Sequence, residues 1–247
     1  MITLYQFPRL MGIPNMSPFC LKVETWLRMA EIKYEMREVA DPRKAPKGKL
    51  PFIKDQNELV ADSSLIVRHL AKTYDINLDA SLSQQEKAIA HAFGKMLEEH
   101  LYWVVIYNRW IDDNWSKVRQ EFFGHMPPLV KTLVPNMIQK KMQSDLNSQG
   151  MGRHSKEDIY EFGLQDLKAV ADFLGDKPYL MGGHPTTVDA TLFALTCNIL
   201  NVPLRSPLKD YLYKCKNLSA YNQRMGKQYF PDFFLDDDES VAAVGEG

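Results

Sequence analysis

The stretch that decides the fold runs from Gly48 to Leu70 and reads GKLPFIKDQNELVADSSLIVRHL. Two short apolar segments, 50–53 and 59–61, flank a polar turn, and this pattern is typical of a β-hairpin. Asp62 and Ser63 then precede apolar residues spaced by the helical repeat, so they are predicted to cap a helix. The stretch therefore predicts a strand, a turn, a second strand and a capped helix in immediate succession.

Two places within this stretch, the proline and the start of the helix, are candidates for ligand binding. Pro51 has no backbone N–H, and a proline that opens a strand indicates an exposed strand mouth or a cis peptide bond. Asp62 and Ser63 present a carboxylate, a hydroxyl and free backbone N–H groups side by side at a helix start. A plain hairpin followed by a capped helix explains the same residues, so the stretch alone leaves both interpretations open.

The chain before this stretch predicts a strand, a helix and a second strand. Residues 2–7 form the first strand, and Ser17-Pro18 opens the helix as N-cap and first-turn proline. The helix runs to about Ala30, and residues 32–39 alternate between apolar and polar as a half-buried strand does. With the hairpin and its helix, these elements make an α/β unit that ends near residue 75.

The remainder of the chain is predicted to be helical. A long helix extends from Ser83 to about Trp115, residues 122–135 form an irregular hinge, and residues 190–200 are apolar enough for a buried helix. Residues 236–247 are acidic and rich in small residues, which predicts a disordered tail. Three capping boxes, each a Ser or Thr followed three residues later by Glu or Asp, mark helix starts at Ser83–Glu86, Ser155–Asp158 and Thr186–Asp189.

The composition excludes several classes of protein. The 247 residues carry a formal net charge of −1 and contain no basic block, so neither nucleic acid nor an anionic membrane surface is an expected partner. No apolar run reaches the ~18 residues that span a membrane. The three cysteines are odd in number and far apart, which argues against a disulfide framework and for a reducing compartment. The N-terminus has the pattern of a strand and not of a signal peptide, so we expect a cytoplasmic protein.

A second motif lies in the helical half, from Leu180 to Asp189, and reads LMGGHPTTVD. It is similar to the glutathione transferase pattern of leucine, glycine, a short loop and a capping box closed by aspartate. Together with the proline, the hairpin and the acid-Ser pair, it resembles the glutathione transferase superfamily. The resemblance implies a thioredoxin-like, glutathione-binding domain over residues 1–75 and an all-helical bundle domain over residues 82–235.

Four further segments resemble the failed-axon-connections and metaxin branch of that superfamily. Some members of this branch are adaptors or components of import machinery and not proven enzymes. The resemblance therefore implies either a soluble glutathione transferase or an interaction protein that kept the fold and lost catalysis. The segments are QFP at 6–8, SPFCLKVETWLR at 17–28, GRHS at 152–155 and LGDKP at 174–178.

The resemblance also assigns the groups that bind glutathione. In this family, the residue before a cis-proline pairs its backbone with the cysteine of glutathione, a role that falls to Leu50 before Pro51. The γ-glutamyl end falls to Asp62 and Ser63. Glutathione is then a co-substrate, a small electrophile is the second substrate, and neither a further cofactor nor a metal is expected. The resemblance allows a homodimer.

Conjugation of glutathione requires a thiolate, whereas a free thiol has a pKa near ~8.5. A hydroxyl at a helix N-terminus stabilises the anion by a charge-assisted hydrogen bond and by the positive end of the helix. Ser17 meets both requirements and stands where the family carries its catalytic Ser or Cys, although capping alone explains a Ser before Pro. The alternatives are Tyr5, near the end of the first strand, and Cys20, three residues after Ser17. Packing in a half-buried strand also explains Tyr5, and burial on the first turn of the helix also explains Cys20.

Aromatic residues on the long helix give a candidate pocket for the second substrate. Ligand sites prefer the space between domains, and a row of aromatic side chains there would line an apolar wall. A buried face of a helical bundle needs the same residues, so packing explains them as well. The candidates are Tyr102, Trp103, Tyr107 and Trp110.

Overall fold

A four-stranded mixed sheet forms the first part of the computed structural model, which describes residues 1–234 except for the side chain of Leu129. The strand order is β2-β1-β3-β4, with β1 parallel to β2 and antiparallel to β3, and β3 antiparallel to β4. The predicted α/β unit and its hairpin are confirmed. The strands are β1 (Ile2–Gln6), β2 (Tyr34–Glu38), β3 (Phe52–Asp55) and β4 (Glu58–Ala61).

Helices pack against the sheet and make up most of residues 63–234. The predicted caps at Ser17, Ser83, Ser155 and Thr186 all stand at helix starts. None of the helices within residues 1–234 is long and apolar enough to cross a bilayer. The helices are α1 (Pro18–Met29), α2 (Ser63–Thr73), α3 (Gln84–Met96), α4 (Tyr102–Trp110), α5 (Trp115–Phe123), α6 (Pro128–Gln149), α7 (Lys156–Leu174), α8 (Thr187–Leu200), α9 (Pro207–Lys214) and α10 (Lys216–Tyr229).

Helix α1 lies at the centre of the molecule. Ten of its 12 residues are buried, which leaves almost no face for solvent. It contacts α2 beside the sheet and packs along α8 of the helical half, so the two halves share one continuous apolar core. The predicted domain limits at residues 75 and 82 stay predictions, and the predicted disordered tail, 236–247, lies outside the described residues.

The long helix predicted from Ser83 to Trp115 is wrong in two respects. A π-helical segment, Leu97–Leu101, separates α3 from α4, and the helix ends at Trp110. The chain then turns because other helices bind the polar residues that follow. Asp112 accepts hydrogen bonds from the Lys156 ammonium and the Tyr160 hydroxyl of α7, at 2.5 and 2.6 Å.

The predicted hinge over residues 122–135 is also wrong. Helix α5 includes Phe123, and α6 starts at Pro128 and continues through Pro135. Pro128 occupies the first turn, where a proline has no helical hydrogen bond to lose and its fixed φ favours the helix. The Pro-Pro pair therefore starts a helix where the sequence pattern indicated a break.

The box at the start of α8 is a buried structural element. Asp189 is fully buried, and its Oδ2 accepts from the backbone N–H and the hydroxyl of Thr186, at 2.8 and 2.9 Å. Its Oδ1 accepts from the backbone N–H of Leu180 at 2.9 Å and from the Tyr221 hydroxyl at 3.1 Å. One carboxylate thus joins the loop after α7, the start of α8 and α10.

We expect Asp189→Ala to destabilise the protein by about 2 kcal/mol or more, because it leaves two buried backbone N–H groups without acceptors. A thermal melt measures the loss. The control is Asp158→Ala, which removes the closing residue of the exposed box at the start of α7 and should cost about 1 kcal/mol. Glutathione binding of the folded fraction should stay normal, and its loss in a stable variant would place Asp189 in the ligand site.

Candidate active site between the two halves of the chain

Three segments that the sequence singled out meet at one end of the sheet. Cys20 on the first turn of α1, Leu50 before the proline, and Ala61 before the acid-Ser pair share one small apolar cluster. A hydrogen bond of 3.1 Å from the Lys22 ammonium to the Ser64 hydroxyl also joins α1 to α2. The fold therefore brings the start of α1, the proline turn and the start of α2 together.

Ser17 caps α1 as predicted. Its backbone is extended, with φ −92° and ψ 115°, and its hydroxyl accepts the backbone N–H of Cys20 at 3.4 Å. Its own backbone N–H donates to Oδ1 of Asn15 at 2.9 Å. The half-buried hydroxyl stands at the positive end of a helix, where an anion is stabilised.

The peptide bond between Leu50 and Pro51 is cis, as the resemblance implied. Strand β3 begins one residue later, and Phe52 pairs with Tyr5 of β1 and with Ala61 of β4. No backbone hydrogen bond joins Leu50 to another residue within the described part of the chain. Its N–H and C=O are therefore without a backbone partner there, which the role predicted for this residue requires.

Asp62 caps α2, and one oxygen of its carboxylate is already hydrogen-bonded within the protein. Oδ1 accepts from the backbone N–H of Ser64 at 3.0 Å and of Leu65 at 3.1 Å, whereas Oδ2 has no partner among residues 1–234. The backbone of Asp62 has φ 90°, a conformation that Asp and Asn adopt more readily than other side chains. Ser63 is buried, and its hydroxyl makes no hydrogen bond with the residues that the structure describes.

The two rivals of Ser17 lie in apolar surroundings. Cys20 is fully buried, and burial raises the pKa of its thiol to about 12 even though hydrogen bonds from Ser17 and Phe7 lower it. A buried thiol of this kind is inert. The Tyr5 ring stacks on Phe52 with ring centroids 4.2 Å apart and planes 6° apart, which gives Tyr5 a packing role.

A buried ion cluster beside the site was not predicted. Lys22 on α1 donates to Oε1 of Glu98 at 2.5 Å, and Lys95 donates to Oε2 of the same carboxylate at 3.1 Å. Burial raises the pKa of Glu98, but the two ammonium groups outweigh it and hold the pKa below its ordinary value. The i,i+3 spacing of Lys95 and Glu98 is visible in the sequence, whereas Lys22 is 76 residues from its partner.

A small cavity of about 10 Å³, roughly the room that one water molecule needs, lies between the start of α1 and the π-helical segment. Tyr102 is the one candidate pocket residue that lines it, and its ring lies 4.8 Å from that of Phe19. Trp103 contacts Tyr102, whereas Tyr107 contacts Tyr160 and Trp110 lies in a separate aromatic group. That Trp103, Tyr107 and Trp110 bind a substrate stays a prediction. The lining residues are Pro18, Phe19, Lys22, Glu98, Tyr102, Thr191 and Leu195.

Two family models match the chain. Residues 18–115 match the glutathione S-transferase N-terminal domain, and residues 163–225 match the glutathione S-transferase C-terminal domain. A solved structure of a glutathione transferase from Phanerochaete chrysosporium superimposes with a TM-score of 0.66 at 20% identity, over 93% of this chain and 97% of that one. The predicted fold, a thioredoxin-like domain followed by a helical domain, is confirmed.

Curated relatives place the chain within this class. It is 35% identical to the isoprene-epoxide–glutathione S-transferase of Rhodococcus sp. (strain AD45), over 93% of this chain and 99% of that protein. Failed axon connections of Drosophila melanogaster is 36% identical over 94% of this chain, which spans 59% of that protein's length. Metaxin-1 of Macaca fascicularis is 27% identical over 89% of this chain and 72% of that protein.

The chain belongs to the glutathione transferase family. Its similarity to Failed axon connections and to metaxin-1 confirms the narrower resemblance to that branch as well.

Proposed function

We propose that this protein is a glutathione transferase whose Ser17 hydroxyl stabilises the thiolate of bound glutathione. The Leu50 backbone pairs with the cysteine of the tripeptide, and Asp62 and Ser63 hold its γ-glutamyl end. The observation that supports this most is the convergence of three segments: the apolar cluster of Cys20, Leu50 and Ala61 brings the Ser17 cap, the cis-proline and the acid-Ser pair to one place.

The chemistry follows from the positions of these groups. The thiol loses its proton to solvent, and the Ser17 hydroxyl donates a hydrogen bond to the sulfur anion at the positive end of α1. A sulfur lone pair then forms a bond to the electrophilic carbon, and the carbon's bond to its leaving oxygen or other group breaks with its electron pair. The Ser17 oxygen accepts from the Cys20 backbone N–H through a lone pair, so the hydroxyl proton can at the same time be donated to the sulfur.

A small epoxide is the electrophile to test first. The relative from Rhodococcus that aligns over 99% of its own length is named for isoprene epoxide. Opening an epoxide by a thiolate gives a thioether and an alkoxide, and the alkoxide takes a proton from water. The cavity of about 10 Å³ beside Phe19 and Tyr102 borders Pro18 but is too small to hold an epoxide in this structure.

The second candidate is an interaction protein that kept the fold without catalysis. Similarity to Failed axon connections and to metaxin-1 supports this candidate, since neither of these two proteins is named as a transferase. An exposed apolar stripe on α6 supports it as well, because exposed apolar patches often bind partners. The stripe consists of Val130, Leu133 and Met137, with exposed fractions of 39, 69 and 61%.

Calorimetric titration with reduced glutathione separates the two candidates. A transferase gives saturable heat with reduced glutathione, and it then forms a thioether when a small epoxide is added. A variant with Ser155→Ala and Asp158→Asn alters a similar acid-Ser pair at the start of α7, outside the proposed site. It should bind glutathione as the wild type does and serves as the control. No saturable heat with the purified protein would remove the transferase proposal and favour the interaction protein.

A further inference from the structure

The backbone that leads into Ser17 is held from within by a buried asparagine. Asn15 is fully buried, and its Nδ2 donates to the carbonyl of Phe7 at 2.9 Å. Its Oδ1 accepts the backbone N–H of Ser17, also at 2.9 Å. The end of the β1 segment and the cap of α1 are therefore tied together through one side chain.

The helical half holds the same backbone from the other side. Arg109 on α4 donates through Nη1 to the carbonyl of Met16 and through Nη2 to Oδ1 of Asn198 on α8, the latter at 2.8 Å. Nδ2 of Asn198 donates to the carbonyl of Asn15 at 3.0 Å. Two consecutive carbonyls immediately before Ser17 are thus bound by two side chains that lie more than 90 residues further along the chain.

Arg109 is an unusual residue for a core. It is buried, it has no carboxylate partner among residues 1–234, and its Nε has no hydrogen-bond partner. Burial lowers the pKa of its guanidinium to about 10, so the group remains charged at neutral pH. Burying an unpaired charge costs free energy, and an apolar side chain would fill the same space without that cost. The presence of an arginine at position 109 therefore calls for an explanation beyond packing.

The geometry points to Arg109 and Asn198 as positioning residues for Ser17. They hold the carbonyls of Met16 and Asn15 and thereby fix the Ser17 hydroxyl at the start of α1. The helical half therefore sets the geometry of a catalytic group that belongs to the sheet half. The catalytic consequence rests on the proposed function, whereas the holding of the backbone does not.

Two variants, each of which removes one of these hydrogen bonds, and a matched control test the inference. Arg109→Lys keeps the charge but cannot bond both Met16 and Asn198, so any effect comes from position and not from loss of a cation. Asn198→Asp keeps the acceptor for Arg109 and loses the donor to Asn15. The control is Thr196→Val on the same helix, which removes buried hydrogen bonds to Leu192 and Asn222 but none to the site.

The first measurement does not need glutathione. Hydrogen–deuterium exchange, read on a peptide covering residues 8–21, should become about tenfold faster in both variants than in Thr196→Val, because one buried hydrogen bond to this backbone is lost. Exchange as slow as in the control would overturn the inference. That result stands whether or not the wild type binds glutathione, so it is distinct from a failure of the proposed function.

The second measurement tests whether the two residues position the Ser17 hydroxyl for catalysis or only stabilise the backbone before it. In the two variants the pKa of the bound glutathione thiol, followed by thiolate absorbance against pH, should rise by about 1, and kcat should fall about tenfold with KM for glutathione nearly constant. Faster exchange together with an unchanged thiol pKa and an unchanged kcat would overturn the positioning role and leave only a structural brace. If Arg109→Lys fails to fold, Asn198→Asp decides both points.

Discussion

Ser17→Gly is expected to slow the conjugation of glutathione by about 10- to 150-fold while the protein stays folded. A glycine at an N-cap costs only a few tenths of a kcal/mol relative to Ser, whereas Ala costs about 1 kcal/mol. The capping hydrogen bond of Ser17 is 3.4 Å long, which places both costs at the low end. Loss of the hydrogen bond to the sulfur, in contrast, removes about 1.5–3 kcal/mol of anion stabilisation, and the pKa of bound glutathione should rise accordingly.

Thiolate absorbance against pH and turnover of a small epoxide measure the two effects. The chain contains a matched control, Ser206→Gly, because Ser206 caps α9 before Pro207 in the same way, with its hydroxyl accepting the backbone N–H of Lys209 at 3.1 Å. That variant should lose at least as much stability and no activity. If Ser17→Gly conjugates at the wild-type rate, Tyr5 becomes the leading candidate for the hydroxyl donor.

Ser17→Cys gives an independent view of the same position. The introduced thiol would stand at a helix N-terminus, which lowers a thiol pKa, three residues before a cysteine that is fully buried. Its thiolate should attack the disulfide of oxidised glutathione, form a mixed disulfide and release one glutathione thiolate. We therefore expect this variant to lose conjugation and to gain thiol–disulfide exchange, measured by release of reduced glutathione.

Asp62→Asn combined with Ser63→Ala is expected to weaken glutathione binding by at least about tenfold, with little change in stability. Asn keeps the acceptor for the backbone N–H groups of Ser64 and Leu65 and tolerates φ 90°, so the cap of α2 survives. The lost groups are the carboxylate charge and the free hydroxyl. Charge-assisted hydrogen bonds contribute about 1.5–3 kcal/mol, and 1.4 kcal/mol is about tenfold in affinity.

Calorimetry with reduced glutathione and a thermal melt of the same samples measure both parts of this prediction. Asp62→Ala would be a poorer choice, since it removes the cap and the charge together. An equal affinity in the double variant and in the wild type would move the γ-glutamyl end of the tripeptide away from α2, even if glutathione binds elsewhere in the protein.

Local signals in the sequence predicted the parts of the fold that depend on local chemistry. Ser17 and Pro18, the Thr186–Asp189 box and the hairpin around residue 56 all act through neighbours within a few residues, and all are present. The Ser206-Pro207 pair carries the same signal as Ser17-Pro18, yet α9 was not predicted from it. The pair Pro127-Pro128 lies within the predicted hinge but starts α6, because proline is found at helix starts and at helix ends alike.

Contacts between distant residues could not be predicted in the same way. Lys22 and Glu98 are 76 residues apart, and Arg109 and Met16 are 93 apart. Lys22, Glu98 and Arg109 are charged side chains whose pattern fits an exposed helix face, and only the packing of α1 against the helical half reveals their burial. The end of α4 at Trp110 depends on contacts from α7, so no signal within α4 itself marks it.

Because α1 is buried on nearly every side, the chain cannot be divided into two halves that fold independently. The sheet half is not expected to fold alone, because separating it from the helical half would expose the apolar surface of α1 and leave the buried Lys22 without Glu98. Fragments split in the connection between α2 and α3 should be insoluble alone and recover their structure only when produced together.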